Sequence, residues 1–311
     1  AEIQVKGSGA GYAELEVAAG TILASDLTLN VEHLVGDPEF GALRLRSDWT
    51  GPGGLIKSGS GIASLSGSGK NYTGATTIER GVLRISEPAT PSLSSSVTAL
   101  PGGQLRLTSG TGIGDPPRNY AFGGTLYLSG FGRGDEISDN QNNGKLGALR
   151  YEPGNTDNSA IISSPVELIA PADIHVSEAT NRLELSMPLA GTFPLTKSGG
   201  GTLILSGDQS GHSYPINVDT GSLEISGTLG STIHLSPTAT LKGHGRTAAI
   251  SGEGLIVLNQ TLLEAPSSNA SHYSFVFSAA GAPTLGNTAS TSNATVILED
   301  APTGILGLDF Y

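Results

Sequence analysis

The feature that most constrains the fold of this chain is an internal repeat that occurs twice at one constant offset. Residues 53–86 align with residues 193–226, and each matched pair of positions differs by 140 in number. Both copies consist of short runs of alternating apolar and polar residues, separated by glycine or Ser-Gly turns. Because such alternation is typical of half-buried strands, each copy predicts four short strands. A unit of this kind buries its apolar side chains by stacking on its neighbours.

The same pattern continues outside the two copies. Period-two runs of three to five residues recur along the chain, for example at 27–31, 104–107 and 182–185. No window of eleven residues carries the apolar stripe of an amphipathic helix, so we predict an all-β fold with very little helix. Two architectures fit many short strands: a parallel β-solenoid and an antiparallel sandwich.

Glycine and aromatic content favour the solenoid. The chain has 45 glycines in 311 residues, and glycine supplies the positive-φ corners and close coil stacking that a solenoid needs. Aromatic residues make up only 5% of the chain, whereas sandwich cores usually carry several large rings. If the chain were instead two sandwich domains, the Pro/Gly/Asn-rich stretch at 152–158 would be the best boundary.

Charge and cysteine content exclude several classes of protein. The formal net charge is −12 and no run of Lys or Arg is longer than two, so no nucleic-acid partner is expected. No stretch is apolar enough for a membrane-spanning helix. The chain has no cysteine, which excludes a disulfide scaffold, a cysteine zinc site and thiol catalysis.

The first copy carries a specific motif. Residues 53–61 read Gly-Gly-Leu-Ile-Lys-Ser-Gly-Ser-Gly, residues 65–67 Leu-Ser-Gly, residues 71–74 Asn-Tyr-Thr-Gly, and residues 81–85 Gly-Val-Leu-Arg-Ile. This pattern resembles the autotransporter-associated β-strand repeat of bacterial passenger domains. The second copy departs in its middle, where Tyr214 lies two residues later than the motif requires.

The resemblance implies a right-handed parallel β-helix that is exported and lies at the bacterial cell surface. It also implies that the repeats have no catalytic activity. We expect no cofactor. We therefore expect a non-enzymatic extracellular β-solenoid that acts as a structural stalk, an adhesin or a self-assembling fibre subunit. Its expected partners are a second copy of the chain, through coil ends or edges, and host or surface glycans or receptors. The alternative is a carbohydrate-binding or carbohydrate-active β-helix protein.

The pattern divides the chain into three parts. Residues 1–50 are a candidate N-terminal cap or irregular first coils, and residues 51–258 are the solenoid with its two repeat units. A loop-rich insert is expected around residues 130–160. Residues 259–311 lose the repeat and are candidate C-terminal coils or a cap.

Few residues are candidates for chemistry. Arg133, Gly134 and Asp135 form an integrin-type adhesion motif in a Gly-rich stretch, although three such residues occur readily by chance. The acidic side chains there could bind Ca²⁺, and a scattered group of acids could serve a glycosidase. The acids are Asp135, Glu136 and Asp139 for the first site, and Asp208, Asp219 and Glu224 for the second. The six histidines lack metal-binding spacing, so no catalytic, cofactor or metal site is predicted.

Overall fold

The computed structural model describes residues 1–6, 13–15, 20–32, 42–45, 48–66, 69–85, 96–109, 111–112, 115–133, 146–154, 158–243, 245–259, 263–264, 267–268, 272–277, 285–286 and 293–298. These residues form many short strands and no α-helix. The strands turn corners and return to pair with strands one coil away, so the chain is a β-solenoid. No helix in this part of the chain is long and apolar enough to cross a membrane.

Three long ladders of strands line the solenoid. The first sheet consists of β1 (Glu2–Lys6), β4 (Leu27–Glu32), β7 (Leu55–Ser58), β10 (Thr76–Ile78), β12 (Val97–Ala99), β16 (Leu126–Gly130), the first half of β19 (Val166–Val176) and β21 (Leu189–Gly191). The second sheet consists of β2 (Ala13–Leu15), β5 (Ala42–Leu45), β8 (Ile62–Leu65), β11 (Gly81–Ile85), β13 (Gly103–Leu107), β17 (Leu149–Tyr151), the second half of β19, β22 (Leu195–Ser198), β25 (Ile216–Val218), β28 (Thr232–Leu235), β30 (Ala249–Gly252) and β33 (Ser267–Ser268).

The third sheet consists of β14 (Thr111–Gly112), β15 (Arg118–Tyr120), β18 (Asn158–Ile162), β20 (Arg182–Leu185), β23 (Thr202–Leu205), β26 (Gly221–Ile225), β29 (Ala239–Gly243), β31 (Leu255–Asn259), β34 (His272–Phe277) and β36 (Asn293–Leu298). Shorter ladders are β3 (Thr21–Ile22), β6 (Trp49–Gly51) and β9 (Lys70–Tyr72), then β24 (Asp208–Gln209) and β27 (Thr228–Leu229), and β32 (Leu263–Glu264) and β35 (Leu285–Gly286).

Strand direction decides between the two architectures. Among the described strands every pairing is parallel, apart from the two-residue pairing of β14 with β18. The predicted parallel β-solenoid is therefore confirmed, and the antiparallel sandwich alternative is wrong. The pairing is parallel because each short strand ends at a corner where the chain turns to the next side of the coil. The strand then pairs with the equivalent strand of the next coil, which runs in the same direction.

Aliphatic stacks fill the interior. In the second sheet one inward stack passes through Leu83, Leu105, Leu149 and Ile174, all of them fully buried. In the third sheet Leu183, Leu203, Leu223 and Leu241 repeat this arrangement. Each side chain is covered by its equivalents in the coils above and below, which is how a coil too small for its own core becomes stable.

The two repeat copies lie on different sides of the solenoid. Strand β7 of the first copy belongs to the first sheet, whereas its equivalent β22 belongs to the second. The offset arises because coil length varies: paired residues lie 21 apart for Leu55 and Thr76, and 40 apart for Leu126 and Val166. The division into residues 1–50, 51–258 and 259–311 stays a prediction.

Candidate functional site at the repeat corners

Three lysines, Lys57, Lys70 and Lys197, are buried in the described part of the chain, and the first and third of them occupy equivalent positions in the two repeat copies. Lys57 lies on β7 and Lys197 on β22, and both are fully buried. Alternation along β7 places Lys57 on the same inward side as Leu55. In its stack Lys57 lies between Leu29 and Ile78, where an aliphatic residue would be the ordinary choice.

The ammonium group of Lys57 contacts carbonyl groups at the corner between the first and second sheets. Its Nζ donates to the carbonyl oxygen of Ser58, to that of Gly59 at 2.7 Å and to that of Arg80 at 3.1 Å. Ser58 and Gly59 belong to its own corner, and Arg80 to the same corner of the next coil. An ammonium group has three protons and no acceptor, so the three carbonyls satisfy it fully. Lys57 thereby ties two successive coils together.

Lys197 makes the same three contacts at a different corner, between the second and third sheets. Its Nζ donates to the carbonyl oxygens of Ser198 at 2.9 Å, Gly199 at 2.7 Å and Thr220 at 3.0 Å. Thr220 is the residue 140 positions after Arg80, so the correspondence between the copies is complete. The repeat therefore specifies a type of corner, whichever two sheets that corner joins.

The electrostatics of the two lysines reflect their burial. Removal from water lowers the pKa of Lys57 to about 7, and the negative charge of Glu32 acts against this shift, while Arg133 and Arg80 add to it. Burial likewise lowers the pKa of Lys197 to about 7, and the carboxylate of Asp173 opposes that shift.

A glycine of the next coil packs against each corner that holds Lys57 or Lys197. Gly81 and Gly221 have φ values of 70° and 69°, in the left-handed region that favours glycine. A Cβ atom on Gly81 would lie 2.4 Å from the carbonyl oxygen of Gly59, and one on Gly221 would lie 2.3 Å from that of Gly199. The corner therefore needs glycine both for its backbone angle and for the close approach of the next coil.

The copies differ at the position of the motif tyrosine. In the first copy Tyr72 is fully buried, and its hydroxyl is 2.6 Å from the Oγ1 of Thr76. The equivalent residue 140 positions later is His212, which is fully buried, while Tyr214 is exposed. Thr76 is replaced by Ile216, so the second copy has an imidazole where the first has a hydrogen-bonded phenol. Burial lowers the pKa of His212, and a backbone hydrogen bond with Gly191 acts against this shift.

A second polar group joins β19 to β22 beside Lys197. The Nδ1 of His175 is 2.9 Å from the Oγ of Ser198, which donates to the two carboxylate oxygens of Asp173 at 2.9 and 2.7 Å. In a hydrolase triad the imidazole lies between the hydroxyl and the carboxylate. Here the hydroxyl lies between them, so the group is a hydrogen-bond chain between coils and lacks the geometry of an activated nucleophile.

The burial of His175 predicts that the protein loses stability in acid. Burial lowers the pKa of His175 to about 4, so that below pH 6.5 the unfolded chain takes up a proton before the folded one does. As the pH falls from 6.5 to 4, the free energy of unfolding should decrease by about 2 kcal/mol through His175 alone. A His175→Asn variant should lack that part of the pH dependence in denaturant titrations at pH 7 and pH 4. His234→Gln, at an exposed position, is the matched control and should keep it; identical pH dependence in both variants would contradict the assignment.

Only Arg133 of the adhesion candidate Arg133-Gly134-Asp135 belongs to the described residues. Arg133 is half-buried and lies close enough to Lys57 to lower its pKa, whereas Gly134 and Asp135 lie outside the described residues. The Ca²⁺ candidates Asp135, Glu136 and Asp139 lie outside them as well. In the part of the chain that is described, no group of three potential metal ligands occurs.

The acids considered for a glycosidase are spread around the coil. Asp208 is exposed on β24, where hydrogen bonds from Ser210 lower its pKa. Glu224 lies on β26 of the third sheet, 2.7 Å from Arg182, and Asp219 lies in the turn before that strand. The structure therefore places these carboxylates on different segments of a coil: β24, the turn before β26, and β26 itself.

The burial of Lys57 and Lys197 at the repeat corners was not predicted from the sequence, although the alternation of residues indicates it. Lys57 and Lys197 each stand two residues after a leucine in an alternating run, which places them among the inward side chains. Their carbonyl partners depend on how one coil lies over the next, and the alternation alone carries no information on that.

Comparison with known families agrees with this geometry. The family model of the passenger-associated-transport-repeat matches residues 55–85 and 195–225, which are the two copies described above. The chain thus carries two transport repeats of the passenger type on a parallel β-solenoid, and the predicted resemblance is confirmed. Neither the curated proteins nor the solved structures include a match to the chain.

Proposed function

We propose that this chain is a rigid, non-enzymatic stalk segment of a protein that a bacterium exports to its surface. The observation that carries the proposal is the continuous stacking of twelve strands in the second sheet, with both transport repeats contributing a lysine that ties one coil to the next. Such a stack resists bending because every coil is hydrogen-bonded to its neighbours.

The same features suit export of an unfolded chain. Each coil that folds presents an edge of unpaired N–H and C=O groups on which the next coil forms, so folding can follow the chain as it emerges. The chain has no cysteine, so it needs no oxidising step to reach its folded state. These properties support the stalk role and do not require a ligand.

Electron microscopy of the purified chain tests the shape that this role requires. The twelve described strands of the second sheet are stacked about 4.8 Å apart and span roughly 50 Å, and we expect single rods of at least that length. Filaments that lengthen with concentration would instead identify a fibre subunit. Compact particles without a long axis would contradict the stalk.

Surface location has its own test. An antibody raised against the purified chain should label intact cells of the source bacterium as strongly as permeabilised cells. Labelling that requires permeabilisation would contradict export. If intact cells are labelled and the purified chain also binds host cells directly, the adhesin role would replace that of the stalk.

A further inference from the structure

The corner that leads into the second sheet is uncharged and largely apolar in three successive coils. We call it the proline corner, because each of its three segments ends in a proline. The segments are residues 169–171, 192–194 and 213–215, which read Ile-Ala-Pro, Thr-Phe-Pro and Ser-Tyr-Pro. They lie directly before the second half of β19, before β22 and before β25, which pair with one another in that order. The three segments therefore lie at successive levels on one side of the solenoid.

Hydrogen bonds fix the register of the proline corner. The backbone N–H group of Ala172 donates to the carbonyl oxygen of Pro194 at 3.3 Å. One coil further on, the N–H group of Leu195 donates to the carbonyl oxygen of Pro215 at 3.1 Å. The prolines are therefore level with one another, and the residues directly before them form a second row along the axis.

This second row brings aromatic side chains to the surface. Phe193 and Tyr214 lie one coil apart, at a backbone spacing of about 4.8 Å. Tyr214 is 41% exposed and Ile169 is 38% exposed, while Phe193 packs partly against the core. In the described part of the chain four large apolar side chains are exposed, and two of them belong to the proline corner. Single exposed apolar residues need no explanation, whereas clustered ones mark interaction sites.

The first repeat copy shows that the same corner can be built without large side chains. Positions 53–54 and 74–75 hold Gly-Gly and Gly-Ala, whereas the equivalent positions 193–194 and 214–215 hold Phe-Pro and Tyr-Pro. In the first copy the coils approach so closely that a Cβ atom on Gly74 would lie 2.3 Å from the backbone nitrogen of Gly54. Coil stacking alone therefore does not account for the bulky side chains of the second copy.

The charge of the proline corner limits the kind of ligand that it suits. Its nine residues include no Asp, Glu, Lys or Arg, although the chain has a net charge of −12. Charged partners are selected by complementary charge, which this corner does not offer. The exposed side chains of Thr192 and Ser213 add hydroxyl groups beside the aromatic row. The corner therefore suits a neutral ligand that has both apolar faces and hydroxyl groups.

The size of the proline corner argues against a protein partner. Three levels at about 4.8 Å span roughly 10 Å along the axis, which gives a patch on the order of 100 Å². A stable protein interface buries about 800 Å² on each partner, so a second copy of the chain would need contacts far beyond this corner. A sugar chain needs much less area. Its ring faces are made of C–H groups that pack on aromatic rings, and its hydroxyl groups pair with those of the protein.

We propose that the proline corner binds a neutral polysaccharide of β-linked hexoses, whose rings stack on Tyr214 and extend over Phe193. Chains of this kind are extended ribbons with accessible ring faces, so that successive sugars can contact successive coils. Thr192 and Ser213 bind the hydroxyl groups at the edge of the ribbon. The site adds a ligand to the rod, whether or not the rod serves as a stalk.

Electrophoresis of the full chain in native gels that contain hydroxyethylcellulose, a neutral β-linked glucan, tests the site. We expect this polymer to retard the protein, whereas dextran, an α-linked glucan without a flat ribbon, should retard it at least fivefold less. Tyr214→Ala should bind hydroxyethylcellulose at least fivefold more weakly. Tyr214→Phe should bind within twofold of wild type, because the ring makes the contact. Tyr127→Ala, which changes a half-buried tyrosine of β16, is the matched control and should also bind within twofold.

Further measurements separate binding from folding and from self-association. Circular dichroism and electron microscopy check that each variant keeps the solenoid, so a failed stalk and a failed binding site give different results. Sedimentation that shows a wild-type dimer and a Tyr214→Ala monomer would identify an interface between copies and overturn the proposal. Absent retardation of the wild type, equal retardation by dextran, or unchanged retardation of Tyr214→Ala would overturn it as well.

Discussion

The free energy of unfolding of a Gly221→Ala variant is expected to be about 4 kcal/mol lower than that of the wild-type protein. The new Cβ atom would lie 2.3 Å from the carbonyl oxygen of Gly199 and 2.6 Å from that of Gly201, and both are backbone atoms of the coil beneath. The residue would also be held at a φ of 69°, which costs an alanine about 1–2 kcal/mol. Chemical denaturation followed by circular dichroism measures the loss.

Two further glycines separate the clash from the backbone strain. Gly102 has a φ of 89°, and a Cβ atom on it would meet no other atom within 4 Å, so Gly102→Ala should lose only the strain, about 1 kcal/mol. Gly154 has open space and no positive φ, so Gly154→Ala should be close to neutral. If Gly221→Ala were no worse than Gly102→Ala, the tight stacking of repeat corners would be refuted.

A Lys197→Met variant is expected to lose about 3 kcal/mol of stability. Methionine fills the aliphatic part of the stack, but the carbonyl groups of Ser198, Gly199 and Thr220 lose their shared donor. Each buried polar group left without a partner costs about 1–3 kcal/mol, and relaxation at the corner recovers part of the total. Lys57→Met should behave alike, and because the two corners share no partner, the losses should add in the double variant.

Lys242→Met is the matched control for the corner lysines. Lys242 is half-buried on β29, and its Nζ makes one long contact of 3.4 Å with Thr202. We expect its replacement to cost less than about 1 kcal/mol. A Lys197→Met protein as stable as wild type would mean that the cost of burying the ammonium group equals the benefit of its contacts, and the lysine would then not hold the coils together.

The strands could be predicted from the sequence because they follow from local pattern, whereas parallel stacking was favoured by the repeat and by the glycine and aromatic content. Alternation fixes which side of a strand is buried, as in Leu183 and Leu185 of β20, and glycine-rich turns limit the strand length. The inward lysines could also be predicted by the same alternation. The repeat offset of 140 further identifies His212 as the counterpart of Tyr72, although the sequence gives no reason to expect a buried imidazole there.

The sheet that each repeat copy would join could not be predicted. Paired residues lie 17 apart for Ile216 and Ile233 but 40 apart for Leu126 and Val166, so coil length changes along the chain. A coil of unusual length moves the strands that follow it to a different side of the solenoid. No local sequence pattern encodes that shift. Contacts between distant residues could not be predicted for the same reason, since Arg106 and Arg150 are 44 residues apart and become neighbours only through the register of β13 and β17.

The most direct test of the account is a disulfide between two coils, because the chain contains no cysteine of its own. Thr77 and Thr98 are paired on neighbouring strands β10 and β12, on the outward side of the first sheet. Neighbouring strands lie about 4.8 Å apart, within the Cα separation that a disulfide spans. Thr77→Cys/Thr98→Cys should therefore cross-link completely under mild oxidation, whereas Thr77→Cys/Ser222→Cys, with its second cysteine on the third sheet, should not. A cross-link in the second variant and none in the first would contradict the stacking of β10 on β12 in successive coils.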